Sequence, residues 1–265
     1  MEKKRYFYDI ELDTYCCDGN QIVKPSGVLQ VLQECGRRQM AAQKPSYEDI
    51  LKTGKALMLS RLDMKIYDEV YLGEEVEVTS WPCESSRATF LRMYQMKRGD
   101  KPVAEISSQW VLVDSASRKI LKVEEVDFSN YYMGPYSELI SEKFKIPKDA
   151  ALEEAGTFRI LYSHLDSNKH MNNTYYADVL CDHVPELLAG THRVDGMRIH
   201  YAKEAPLGDT LRIMRLSAGE GRYWFKTFKE MGEVNVEAEI SVVPADSPSH
   251  YDDSEEAGIL LVLFY

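Results

Sequence analysis

Gly73-Glu74-Glu75-Val76 returns 135 positions later as Gly208-Asp209-Thr210-Leu211. Each copy is a glycine followed by an acid that leads into a run of strand character. A second pair of glycines keeps nearly the same register. Gly99, in Arg98-Gly99-Asp100, and Gly232, in Met231-Gly232-Glu233, stand 133 apart. Two landmarks at nearly one spacing mark a unit written twice.

A helix lies near the front of the first copy, after a lead strand. Ser26 can cap it, and Val28, Leu29, Val31, Leu32 and Cys35 fall at helical spacing. Strand-like segments follow from Ala56 to Tyr67, Glu74 to Trp81, Ala88 to Lys97 and Val103 to Asp114. In the second copy Asn172 or Asn173 caps a helix with Tyr176, Val179, Leu180, Val184 and Leu187 on one stripe, which Pro185 breaks or kinks. Its strands run from Met197 to Lys203, Thr210 to Leu216, Tyr223 to Glu230 and Val234 to Val243.

Each unit thus has a lead strand, one long apolar helix and four strands in a row. Consecutive strands on short turns pair antiparallel, and a helix with a broad apolar stripe must bury it against that sheet. The predicted class is α+β, a tandem double hotdog in which each repeat is a long helix wrapped by an antiparallel sheet. A single irregular α+β domain is the rival. The repeats are placed at residues 1–125 and 150–243. A linker over 126–149 is interrupted by charge, Gly134-Pro135 and Pro147, and an acidic tail occupies 244–265.

Composition bounds the function. Hydrophobic residues make up 44% of the 265 and charged residues 28%, as in soluble globular proteins. No apolar run approaches the roughly 20 residues that span a bilayer, and Met1-Glu2-Lys3-Lys4-Arg5 leads into no signal-peptide core. The expected location is therefore cytoplasmic, without stable membrane insertion. Cys16, Cys17, Cys35, Cys83 and Cys181 form no C-x-x-C pair, which argues for reduced thiols and against zinc. The net charge of −11 disfavours nucleic acid as a partner.

The chemistry concentrates in Asp166-Ser167-Asn168-Lys169-His170-Met171-Asn172-Asn173. If the segment is extended, Asp166, Asn168 and His170 alternate onto one face, beside a helix N-terminus that favours negative charge. Any one of them reads as a cap, a turn residue or a satisfied histidine. Capping needs one side chain, however, and this stretch supplies five polar ones. A metal at His164, Asp166 and His170 lacks a fourth ligand of convincing spacing, so no metal or cofactor is expected.

Asp166-x-Asn168-x-His170-Met171-Asn172-Asn173-x-x-Tyr176 resembles the D-x-N-x-H-V-N-N-x-x-Y signature of plant and bacterial acyl-acyl carrier protein thioesterases, with Met171 in place of Val. Tyr201-Ala202-Lys203-Glu204-Ala205 is similar to the family's Y-x-x-E-C element. Leu59 to Tyr67, Gly73 to Trp81 and Ser108 to Leu112 resemble further family segments in the expected order. The resemblance implies the tandem hotdog fold and the hydrolysis of fatty acyl-acyl carrier protein (ACP) to free fatty acid. It also implies that the first repeat shapes chain-length preference while the second cuts. Ala205 stands where the family often has Cys, which excludes a Cys–His mechanism through that position.

Thioester hydrolysis needs an activated water and a stabilised oxyanion. The leaving thiol, with a pKa near 8.5, needs little acid help. Asp166 and Glu204 are the candidate bases. His170 can orient or relay, Asn168 can hold the carbonyl or the water, and backbone N–H groups near Asn172 and Asn173 can meet the oxyanion. Direct attack by Asp166, giving an anhydride, stays open. Val28, Leu32, Met58, Leu62, Met64 and Trp110 are the expected acyl-chain contacts. Acidic ACP would dock on a basic patch, Arg37-Arg38 with Lys44 or Arg118-Lys119 with Lys122, and a homodimer is left open. Competing readings are a hotdog acyl-CoA thioesterase, a hotdog dehydratase and a non-catalytic acyl-binding protein.

Overall fold

Pro25, rather than Ser26, opens the first helix. The computed structural model describes residues 5–86, 88–140 and 144–245, and helix α1 spans Pro25–Ala42 within it. Proline suits this position because its φ is already helical and its missing N–H would have no intrahelical partner. Ser26 is the second helical residue and is buried. Gly27 follows because a Cβ there would strike the Cys16 carbonyl oxygen. The stripe Val28, Leu29, Val31, Leu32 and Cys35 is buried as its spacing predicts.

Ten strands form one antiparallel sheet: β1 Tyr6–Glu11, β2 Lys55–Ile66, β3 Glu75–Ser86, β4 Thr89–Arg98, β5 Lys101–Asp114, β6 Glu153–Arg159, β7 His192–Tyr201, β8 Thr210–Ser217, β9 Arg222–Phe228 and β10 Val234–Pro244. Their order is β1-β3-β4-β5-β2-β7-β10-β9-β8-β6. The second half reads as the first in reverse, so the duplication becomes a pseudo-twofold axis between β2 and β7. There Asp63 faces Arg198 and Met64 faces Met197. Arg198 Nε donates to Asp63 Oδ1 at 3.3 Å, and Lys65 Nζ donates to Asp195 Oδ2 at 2.6 Å.

The repeats differ in their helices. The first has α1 plus a short α2, Tyr47–Lys52. The second has only α3, Tyr175–Cys181, and a single turn, α4, Pro185–Leu188. Pro185 therefore breaks the stripe, although Tyr176, Val179, Leu180 and Val184 remain buried across the break. One apolar core joins both halves, from Leu29, Leu32, Met64 and Ile106 to Leu180, Met197 and Ile240. The segment after β5 is packed down. Tyr131, almost fully buried, donates its OH to Pro45 O at 2.7 Å, and Trp81 Nε1 donates to Pro135 O at 2.9 Å. The acidic tail expected after Pro244 lies, from residue 246 on, outside the described residues.

Candidate active site

Asp166 to His170 is a turn, not the extended strand that alternation suggested. The Asp166 N–H donates to His170 O at 2.9 Å, and the Lys169 N–H donates to Asp166 O at 3.0 Å, with Lys169 at φ 65°. Asp166 Oδ1 accepts the N–H groups of Asn168 at 2.8 Å and His170 at 3.3 Å. An aspartate that bonds the backbone ahead of it makes a tight turn cheaper than a strand. Asp166, Asn168 and His170 still line one cavity, but curvature brings them there instead of the pleat.

The turn is pinned from both sides. Leu165 bridges Met171, His170 bridges Pro206, and the Met171 N–H donates to Ala205 O at 2.8 Å. Thr174, not Asn172 or Asn173, is the N-cap residue of α3, and it makes no side-chain cap bond; Asn172 stands two residues earlier, where its Oδ1 accepts from the N–H and the hydroxyl of Thr174, both at 3.0 Å. A second expectation fails here. The Asn172 N–H already donates to His164 O at 2.8 Å, so it does not face an oxyanion. Asn173 lines the cavity with a buried Oδ1 that has no partner. His164 is turned away from any joint site with His170. Its Nδ1 accepts the Leu161 N–H at 3.0 Å, and its ring lies against Phe158 and Tyr175.

Pairing with Ala205 and Pro206 delivers Glu204 to His170. His170 Nε2 and Glu204 Oε2 are 3.5 Å apart. Arg118 Nη2 also donates to Glu204 Oε2, at 2.8 Å. Arg118 belongs to the first repeat. It sits on the turn after β5 at φ 59°, and its Nη1 lies 3.6 Å from Met58 Sδ. Sequence reasoning placed Arg118 in a docking patch and missed this contact, for which an 86-residue separation leaves no local signal.

These groups stand along a cavity of about 500 Å³ between α1, the strands of the first repeat and the polar turn. Met58 and Trp110 line it as expected. Val28, Leu32, Leu62 and Met64 do not; they belong to the closed core. That stripe of α1 packs onto the sheet, and the cavity follows the adjoining face, with Gln33, Gly36, Arg37 and Met40. Arg92, which also lines it, was missed because a lone Arg in a strand reads as a surface residue.

Two family models match the chain. "Acyl-ACP thioesterase N-terminal domain" covers residues 3–132, and "Acyl-ACP thioesterase C-terminal domain" covers residues 148–242. This chain belongs to the acyl-ACP thioesterase family. The chloroplastic oleoyl-acyl carrier protein thioesterase 1 of Arabidopsis thaliana is 24% identical over 180 residues, which is 61% of this chain and 48% of the plant protein. The chloroplastic palmitoyl-acyl carrier protein thioesterase of Arabidopsis thaliana is 21% identical over 183 residues, 66% of this chain and 44% of the relative. The chain thus spans about half the length of these plant proteins. Among solved structures, an acyl-ACP thioesterase from Bacteroides thetaiotaomicron matches with a TM-score of 0.80 at 19% identity, covering 89% of this chain and 97% of that one. The 12:0-ACP thioesterase from Umbellularia californica gives a TM-score of 0.80 at 15% identity, with coverages of 91% and 98%.

The fold is accordingly the tandem hotdog of the acyl-ACP thioesterases. In this member of the family Ala205 is buried behind Glu204 and offers no nucleophile. Cys181 is on α3, away from the polar turn, and burial pushes its thiol well above the usual thiol range, as it does for Cys35.

Proposed function

We propose that this acyl-ACP thioesterase hydrolyses the thioester joining a fatty acyl chain to acyl carrier protein and releases the free fatty acid. The observation that carries the proposal is the 3.5 Å approach of His170 Nε2 to Glu204 Oε2 beside a cavity large enough for an acyl chain. Glu204 is the better placed base, since Asp166 Oδ1 is already occupied by two turn N–H groups. A water bound against Glu204 and His170 gives its proton to the Glu204 carboxylate as it attacks the thioester carbonyl. Asn168 donates to the carbonyl oxygen, and Arg118 fixes the Glu204 carboxylate from the other repeat. The tetrahedral intermediate then collapses and expels the thiolate of the phosphopantetheine arm.

Docking of ACP fits the cavity mouth better than α1. Arg37 and Arg38 are held by Glu34, and Lys44 by Asp49. Lys119, Lys122 and Lys203 are exposed, with Lys203 on the cavity rim. No helix among the described residues is long and apolar enough to cross a membrane. The five unpaired thiols suit a reducing compartment, which supports a cytoplasmic site of action.

The test is turnover of acyl-ACP by the wild type, Glu204→Gln and His170→Ala. Each substitution should lower kcat by on the order of 10²–10⁴. Near-normal turnover in both variants would exclude the assignment. Matched acyl-CoA, hydrolysed as well as acyl-ACP, would shift the reading to the acyl-CoA alternative.

A further inference from the structure

Duplication supplies an internal control for the active site. The turn that carries His170 has a counterpart before α1. Asp18 Oδ1 accepts the N–H groups of Asn20 at 2.8 Å and Ile22 at 3.0 Å, and Gln21 takes a φ of 63°. Cys17 bridges Val23, and Ile22 bridges Tyr71. These are the contacts of the Asp166 turn over again, with Ile22 in the place of His170. Glu69 stands 135 positions before Glu204, but it is buried and accepts from Tyr71 OH at 2.6 Å. The first repeat thus keeps the frame of the site without its histidine.

The segment bearing each glutamate hangs on a bulge. The pairing of β10 with β9 skips Asn235, and the pairing of β5 with β4 skips Val103. Asn235 O accepts the N–H groups of Ala202 and Lys203 at 2.9 and 3.1 Å, as Val103 O accepts those of Tyr67 and Asp68 at 2.8 and 3.4 Å. Lys229 Nζ donates to Glu204 O at 3.2 Å, as Arg98 Nη2 donates to Glu69 O at 2.6 Å. In their backbones the two repeats agree.

Their side chains do not. Asn235 is 0% exposed, and its Nδ2 donates to Lys203 O at 2.5 Å and to Tyr176 OH at 3.0 Å. Its Oδ1 accepts the Thr227 hydroxyl at 2.9 Å. The Lys203 carbonyl can only accept, so the orientation of the amide is fixed. In the first repeat Met96 holds the pairing position of Thr227, and Val103 is the bulge residue. Five residues past the bridge that closes each turn, Tyr176 stands in the second repeat and Val28 in the first. Val28, Met96 and Val103 all belong to the apolar core. There the same backbone closes over apolar side chains, so the fold does not require the amide. A buried polar network is costly unless every bond is met, and fully met it fixes one arrangement. This one ties the residue before Glu204 to the helix that follows the His170 turn.

We propose that Asn235 is a positioning residue for thioester hydrolysis. Its amide, oriented by Thr227, locks the Glu204 segment to α3 and so sets the 3.5 Å approach of Glu204 to His170. The proposal rests on the hydrolase reading above, with Glu204 as the base, and deepens it.

The experiment measures kcat and KM on one acyl-ACP for the whole protein and for Asn235→Val, Thr227→Val, Glu204→Gln and the double variant Asn235→Val/Glu204→Gln. Asn235→Val installs the residue that the first repeat carries. It should lower kcat on the order of 10- to 100-fold with KM unchanged. Thr227→Val removes the hydroxyl that orients the amide and should lose less. In the Glu204→Gln background Asn235→Val should cost little more, because a residue that acts through Glu204 has nothing left to position. Wild-type kcat in Asn235→Val, a change in KM alone, or a loss that multiplies in full onto that of Glu204→Gln overturns the positioning role. Where Glu204→Gln is too slow to measure, the split between kcat and KM decides. If Asn235→Val does not fold, Thr227→Val carries the same comparison, and wild-type kcat in it refutes the proposal. Normal turnover by Glu204→Gln would instead overturn the base assignment, and the proposal with it.

Discussion

Asp166 is tied to the backbone of its own turn. Its carboxylate closes the turn that carries Asn168 and His170. Asparagine retains one such acceptor and alanine none. Asp166→Asn should therefore lose clearly less kcat than Asp166→Ala. If Asp166 were instead the nucleophile that forms an anhydride, the two would collapse alike. Steady-state turnover of both variants beside the wild type separates the cases. The motif residues were legible because they are neighbours in sequence, and Glu204 because its segment resembles a family element. Arg118 and the Arg92–Gln39 pair were not, since their contacts join positions 86 and 53 residues apart and no periodicity marks them.

Among the elements, the seam between β2 and β7 holds a partly buried histidine. His200 faces Arg61 across it, and the Phe144 ring packs against the imidazole at 5.0 Å. Burial, and then the Arg61 charge, pushes His200 down from 6.5 to about 4. Between those values the unfolded chain takes a proton that the folded chain refuses, so stability falls as pH falls through that window. Discounted for the partial exposure of the imidazole, a shift of that size amounts to roughly 1–2 kcal/mol by pH 4. Urea unfolding of the wild type and His200→Gln at pH 7 and pH 4.5 should show a smaller acid loss in the variant; equal losses would assign the effect elsewhere. The strands themselves were readable from alternation and from the repeated glycines. The expected cap, Ser26, lies two residues past the actual one, Lys24, because Ser26 has a capping side chain but Pro25 has the better backbone for the first helical position. The polar stretch was taken for a strand because alternation of polar residues looks the same in a turn whose aspartate bonds its own backbone.

At the scale of the whole molecule, duplication did not produce two independent bodies. The strand order places β2 and β7 in the middle of one sheet, and a single apolar core continues from Leu32 and Met64 to Leu180 and Met197. The site repeats that logic: the second repeat supplies His170 and Glu204, while the first supplies Arg118, Met58, Trp110 and the deep end of the cavity. Cutting between the repeats would expose two long central strand edges and open the shared core to water, both of which favour aggregation. The intact chain should therefore unfold in one transition, with tryptophan fluorescence and far-ultraviolet circular dichroism coinciding. Trp81 and Trp110 report on the first repeat and Trp224 on the second, so independent repeats would separate the two curves. Residues 1–132 and 148–265 expressed apart should fail to form soluble folded units. A half that folds alone with a cooperative transition would show that the seam is an interface between finished domains rather than the middle of one.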